Sequence, residues 1–308
     1  MRSMKNYILG LDEAGYGPNL GPLVVACVVW KISTDRSFGF GNDDLVTELE
    51  LRIGQSIAAT PSQLGKGDKV LLIGDSKTLY QTGKLQVLAD TILTVLFLCG
   101  KKPEHLSELI LQFDTASHRL AAQQIKERWQ AAGVSLCDVK ANVISPREFN
   151  RHLERLGNKS TLLTETTLSL IADVLQALPE GDVCILCDKH GGRNRYADSL
   201  YQFFPDGWID ILTEGTPLSV YRLHHLGRKI ELRFQAKADR HIPAALASMT
   251  AKLLRELAML EFNRFWQQHL PDLQPTAGYP VDALRFFGQI DETRQTLGIP
   301  KSDVWREK

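Results

Sequence analysis

Gly10-Leu11-Asp12-Glu13-Ala14-Gly15-Tyr16-Gly17-Pro18-Asn19-Leu20-Gly21-Pro22 follows the apolar run Tyr7-Ile8-Leu9 and leads into a second apolar run, Leu23 to Trp30. The pattern reads as a strand over 7–12, a turn, and a strand over 23–30. Glycines at 15, 17 and 21 allow positive φ or close backbone approach, while Pro18 and Pro22 hold φ near about −65°. A hairpin that begins inside an apolar core and carries Asp12 and Glu13 at its turn needs a chemical reason, because burying unpaired charge is costly. Neighbouring residues on an ideal strand face opposite ways, so a turn beginning at Glu13 is expected to bring the second carboxylate round to the first.

Two further acids share this placing. Val183-Cys184-Ile185-Leu186-Cys187 is an apolar strand that ends at Asp188, and Asp239 follows Lys237-Ala238 just before a long helical pattern over 244–268. Side chains at the C-terminal edge of a buried sheet can converge on a ligand in the crevice there. Four gathered carboxylates would raise one another's pKa unless cations neutralised them, and all-oxygen donors select Mg²⁺ or Mn²⁺. Two such ions can activate water and stabilise the departing 3′ oxygen of a phosphodiester without a protein nucleophile.

Elsewhere the spacing predicts a short helix near 44–56 and a strand at 70–73 ending in Gly74-Asp75-Ser76-Lys77. Helices follow over 85–98 and 116–131, the latter with Leu120, Ile125 and Trp129 on its apolar side. A strand over 134–139 precedes a helix N-capped by Ser160 that runs to about Leu178. A helix feeding the buried strand at 183 argues for an α/β fold. The stretch from His190 to Phe234 reads as irregular, with a short hairpin insert, and a last helix spans 281–297. We expect a mixed sheet flanked by helices, with residues 1–270 as one core carrying inserts and 271–308 as a C-terminal helical extension packed on it.

The motifs resemble those of the ribonuclease HII family. Gly10 to Ala26 is similar to that family's opening motif, Gly74-Asp75-Ser76-Lys77-Thr78-Leu79 to its Asp-Ser-Lys segment, and Ile185-Leu186-Cys187-Asp188 to its second aspartate-bearing strand. Lys237-Ala238-Asp239 through Arg255 resembles its final aspartate and Ala-rich helix start. The resemblance implies a ribonuclease H-like fold. It also implies that Asp12, Glu13, Asp188 and Asp239 are metal-binding catalytic residues, with Mg²⁺ or Mn²⁺ as cofactor. The implied substrate is an RNA/DNA hybrid or ribonucleotide-containing DNA, cut to leave a 5′ phosphate.

Departures from the family pattern bear on specificity. Gly15-Tyr16-Gly17 stands where the family has Gly-Arg-Gly, and tyrosine cannot supply the charged donor fork of arginine. Gly278-Tyr279 matches the family's sugar-packing Gly-Tyr step, although Pro275-Thr276-Ala277 replaces the usual histidine and lysine before it. The segment after Asp188 is long, and its Lys189, Arg193 and Arg195 are candidates for phosphate contact, as is Lys77 after Asp75. An inactive or weak nucleic-acid-binding protein of the same fold, or a phosphoryl-transfer enzyme for another substrate, would share many of these features.

Lys+Arg and Asp+Glu both number 36, so any nucleic-acid surface must be local, and the basic-rich stretch from Tyr221 to Arg264 is the candidate patch. Cys184, Cys187 and His190 do not make a zinc site, since the cysteines fall on opposite strand faces. Gly65-Lys66-Gly67 lacks the spacing of a phosphate-binding P-loop, and no serine has the surroundings of a covalent nucleophile. No run reaches the roughly 18 apolar residues of a membrane span, and Met1 to Lys5 leads into no signal-peptide core. The expectation is a soluble, cytoplasmic monomer with reduced thiols.

Overall fold

The computed structural model describes residues 4–34, 44–63, 70–113 and 116–307; Met1 to Ser3 and Gly65-Lys66-Gly67 lie outside the described residues. The chain runs β1 (Met4–Ala14), β2 (Leu23–Thr34), α1 (Leu45–Ile53), the short strands β3 (Ile57–Ala58) and β4 (Leu71–Leu72), α2 (Ser76–Leu98) and α3 (Ala116–Ala131). It continues through β5 (Val134–Ile144), α4 (Pro146–Leu156), α5 (Lys159–Ala177), β6 (Asp182–Asp188), α6 (Ala197–Phe203), β7 (Ile209–Glu214), β8 (Leu218–His225), β9 (Arg228–Gln235), α7 (Ile242–His269) and α8 (Pro280–Thr296). Among the described residues the main sheet has seven strands in the order β5-β2-β1-β6-β9-β8-β7. This is the mixed sheet flanked by helices that the sequence implies.

β1 lies near the centre, antiparallel to β2 and parallel to β6, and β6 is parallel to β9. Alternation along β1 sorts the two cores. Ile8 packs with α1, α2, α3 and α7 on one face, while Tyr7, Leu9 and Leu11 pack with α5 and α6 on the other. Nearly every residue of β2 is buried, as a strand covered on both faces requires. A third, smaller core joins α8 to the end of α7 through Leu20, Trp266, Phe286, Ile290 and Val304.

Several local expectations need correction. β1 continues through Glu13 to Ala14, still paired with β2, so the turn begins at Gly15 and not at Glu13. Asn158 caps α5, accepting from Thr161 N at 2.8 Å, and Ser160 lies inside the helix. Leu120 is 66% exposed, and Ala122 takes its place beside Ile125 and Trp129 on the buried side of α3. The supposed irregular insert builds three strands, of which β9 is an interior strand of the sheet. Its alternating apolar positions were hidden by Arg228, Glu231 and Arg233, which are drawn into ion pairs or burial. β7 forms the far edge and is shifted in register between Ile211 and Thr213, with Trp208, Ile211 and Leu212 exposed.

The candidate basic patch is dispersed by the fold. Arg222 and Arg233 flank the buried Glu231, Arg228 and Arg255 are buried, and Arg264 pairs with Glu261. Cys184 and Cys187 point into opposite cores as buried thiols, and His190 is buried against Thr164 at 2.9 Å. Among the described residues no helix is long and apolar enough to cross a membrane.

Gly10 marks where α7 meets β1. A Cβ there would fall 2.1 Å from the Pro243 carbonyl carbon and 2.6 Å from Ala244 N, so only glycine lets the N-terminus of α7 press on the strand. Gly10→Ala should destabilise the fold by about 1–3 kcal/mol through this overpacking, read as a lower denaturant midpoint with an unchanged slope. A midpoint equal to wild type would show that the contact can relax freely.

Candidate active site

The register of the parallel ladders brings the acids together. Leu11 pairs with Cys187 at the last rung of the β1–β6 ladder, so Asp12 and Asp188 follow side by side just beyond it, Asp188 at the end of β6 and Asp12 near the end of β1. Asp188 in turn pairs with Gln235 at the end of β9. Lys237 then adopts a left-handed conformation, φ 59°, which bends the chain into a single 3₁₀ turn, Ala238–Arg240, carrying Asp239. The bend lets Ala238 N donate to Asp188 Oδ1 at 3.1 Å. Glu50 on α1 accepts from Ile242 N at 2.9 Å, meeting one of the open amides at the start of α7.

Asp12, Glu13, Asp188 and Asp239 all line one cavity of about 440 Å³. Gly15, Tyr16, Gly17, Lys77 and Tyr279 line it as well, whereas Arg193 and Arg195 do not. Arg193 is turned inward, donating to Ser199 Oγ at 2.9 Å and to Arg195 O at 2.7 Å, with its guanidinium over the Tyr196 ring. Arg195 is 90% exposed and lies 3.9 Å from Glu214. Lys189 is also engaged, donating to Gly215 O at 2.8 Å and Ser219 Oγ at 2.7 Å. Asp75 caps α2 through Thr78 N at 2.6 Å, which leaves Lys77 exposed on the first turn.

Burial is the first cause that pushes the Asp12 carboxyl up to about 7; the Ser248 hydroxyl opposes it by hydrogen bonding, and Asp188 and Asp239 add repulsion. Burial, then Asp12 and Asp188, push Glu13 well above the usual carboxylate range. Burial also raises Asp188, against the pull of the Ala238 and Lys189 amides. Asp12 Oδ1 accepts from Glu13 N at 2.8 Å, so each strand-end aspartate turns one oxygen toward nearby backbone. Among the described residues no three His, Cys, Asp or Glu side chains are grouped so that they could hold a metal ion as they stand. What the fold provides is a shared cavity and mutual repulsion, not a finished ligand shell.

Ser248 carries no role in the sequence reading, and Lys252 and Arg255 figure there only within the basic-rich stretch and the helix motif, yet all three are cavity residues. They line it from α7 at spacings of four and three, one face of a helix, and a polar stripe on an otherwise apolar helix was the available signal. Ser248 Oγ lies 3.1 Å from Ser76 Oγ, linking Asp12 to the start of α2. Lys252 donates to Glu256 at 2.6 Å and sits over the Tyr80 ring.

No family model matches the chain, and no curated protein matches it. Solved structures do resemble it. The RNase HII of a PCNA:RNase HII complex from Archaeoglobus fulgidus is 16% identical, with a TM-score of 0.43 over 98% of this chain and 94% of that one. Ribonuclease H2 from Pyrococcus horikoshii is 18% identical, with a TM-score of 0.42 over 97% and 92%. Bst-RNase HIII in complex with Mn²⁺ is 15% identical, with a TM-score of 0.40 over 99% and 67%. At these values the function has to be argued from the site itself.

A carboxyl whose pKa is higher folded than unfolded stabilises the fold below its unfolded value and loses that contribution as pH climbs through the folded one. For Asp12 that window closes at about 7. In the presence of a chelator the melting temperature should therefore fall from about pH 5 to about pH 8, and Asp12→Asn should flatten the fall and melt higher at the upper pH. An identical pH slope in the variant would remove Asp12 from this balance.

Proposed function

We propose that the chain is a divalent-metal-dependent endonuclease that hydrolyses phosphodiesters in RNA/DNA hybrids or ribonucleotide-containing duplexes. The observation that carries this reading is the arrival of Asp12, Glu13, Asp188 and Asp239, from separate chain segments, at one cavity that Lys77, Lys252 and Arg255 also line. Carboxylates beside cations in one cleft suit a phosphate ester approached by metal ions.

The donor set fits the cation. Every candidate ligand is a carboxylate oxygen, the type Mg²⁺ and Mn²⁺ prefer, and the burial and mutual repulsion that raise Asp12 and Glu13 are what a bound cation offsets. Asp12, Glu13, Asp188 and Asp239 would hold the ions. Once bound, such ions activate water and neutralise charge on the phosphate. The chain's own groups do the positioning. Ser248 orients the Asp12 carboxylate, Ala238 N orients Asp188, and Lys77 and the Gly15-Tyr16-Gly17 backbone meet the phosphate chain, while the Tyr279 ring offers a face to a sugar.

The carboxylate roles predict that Asp12→Asn and Asp188→Asn each slow cleavage by about 100-fold or more, since several kcal/mol of charge stabilisation would go at about 1.4 kcal/mol per decade. The check is single-turnover cleavage of an RNA/DNA hybrid with saturating Mg²⁺ or Mn²⁺, with melting curves confirming the fold. Rates equal to wild type would reject the roles. A wild type that binds the hybrid but never cuts it would favour the binding-protein alternative.

Tyr16 gives the specificity its own prediction. Tyr16 lines the cavity, and its side chain offers one hydroxyl where a guanidinium would offer a charged fork. Selection of a single embedded ribonucleotide should be weak in wild type and rise in Tyr16→Arg. Matched duplexes with no ribonucleotide, one, or a tract, with binding and cleavage measured separately, test this. Strong single-ribonucleotide preference in wild type, unchanged by Tyr16→Arg, would sink it.

A further inference from the structure

The last described residues return to the turn that carries the site. Trp305 bridges Leu20 in antiparallel fashion, Arg306 N donates to Asn19 O at 2.7 Å, and Asn19 Nδ2 donates to Arg306 O at 3.1 Å. The far side of the segment is held by Asn150 on α4, whose Nδ2 donates to Ser302 O and Trp305 O and whose Oδ1 accepts from Glu307 N. Arg306 itself is fully buried, with its guanidinium 3.9 Å above the Phe149 ring. Its Nη1 donates to Gly15 O at 2.5 Å and its Nη2 to Tyr16 O at 3.2 Å. Among the described residues no carboxylate pairs with it. Burial, then the neighbouring Arg255, pushes its pKa down to about 9, which leaves it charged at neutral pH.

A buried cation bonded only to carbonyls is an expensive arrangement, and here its geometry is directed. Among the described residues every peptide bond is trans, so the C=O and N–H of one peptide point opposite ways. Gly15 O shares a peptide with Tyr16 N, and Tyr16 O shares one with Gly17 N. A planar fork that grips both carbonyls from one side therefore turns both N–H groups to the other. Gly15, Tyr16 and Gly17 line the cavity, and among the described residues no protein acceptor takes Tyr16 N or Gly17 N.

We propose that Arg306 is a positioning residue that holds the Gly15-Tyr16-Gly17 turn so that its two backbone donors face the nucleic-acid backbone, which makes the C-terminal segment part of the substrate site. The identity of that substrate rests on the nuclease reading above; the clasp on the turn does not. A fork matters more than a charge, because lysine's point donor cannot hold two successive carbonyls in one plane.

The test compares wild type with Arg306→Met, Arg306→Lys and Asn150→Ala, first by hydrogen exchange and then on an RNA/DNA hybrid. Arg306→Met should speed amide exchange in the 13–20 segment while the sheet strands stay protected. It should also raise KM by about tenfold, the worth of one charge-assisted hydrogen bond, with kcat within about threefold. Arg306→Lys should fall between the two. Asn150→Ala loosens the segment without touching Arg306 or the turn, and it should move exchange and KM in the same direction. It decides the matter if Arg306→Met fails to fold. Unchanged exchange over 13–20 in a folded variant overturns the clasp, and faster exchange with unchanged KM overturns its role in binding. If the wild type cuts no duplex, the nuclease reading fails while the exchange data still judge the clasp.

Discussion

Everything at the site depends on β1 being held on three sides at once. β2 fixes it antiparallel, β6 fixes it parallel, and the N-terminus of α7 closes on it at Gly10, where a methyl group would collide with backbone. The parallel pairing of β1 with β6 stops at Leu11 and Cys187, so Asp12 and Asp188 stand together just beyond that ladder. The price is electrostatic: like charges are gathered where burial already disfavours ionisation. The sheet supplies enough rigidity to keep them there, and cationic groups from α2 and α7 border the same space.

Residues in the core and residues at the rim were not equally legible. Asp12 and Asp188 announced themselves because each closes an apolar run, and the long helical pattern before Pro271 became α7 almost in full. β9 was missed because its apolar Ile230, Leu232 and Phe234 alternate with Lys229, Glu231 and Arg233, and Glu231 is tolerated in the sheet only through its ion pairs with Arg222 of β8 and with Arg233. Arg193 looked like a phosphate ligand by nearness to Asp188, yet Ser199 and Tyr196 draw it inward. Arg306 gave no signal at all, since its partners Gly15 and Tyr16 stand at the other end of the chain. Local pattern reveals a strand end; contacts between distant segments must be seen.

The cavity is built asymmetrically. Its acids come from strand ends and one short turn, where the backbone is fixed by ladders, while two of its cations, Lys252 and Arg255, come from α7 and are shared with other partners. Lys252 and Arg255 both bond Glu256, and Arg255 also donates to Ala277 O at 2.7 Å. The acids are therefore placed with little freedom, and Lys252 and Arg255 are restrained by bonds that an incoming phosphate, on the reading proposed above, would have to compete with. For the proposed nuclease such a division would let affinity be tuned through the helix while the strand-end chemistry stays unchanged.

The edge strand β7 has a consequence beyond the site. A sheet that ends in an open strand with exposed Trp208, Ile211 and Leu212 could keep growing by pairing with another chain. Here the bulge between Ile211 and Thr213 breaks the even spacing of donors and acceptors that a new strand would need, and the exposed Asp210 adds a charge along the rim. An irregularity that looks like imperfect pairing thus works as a terminator, and it sets the finite width of the sheet in a crowded solution.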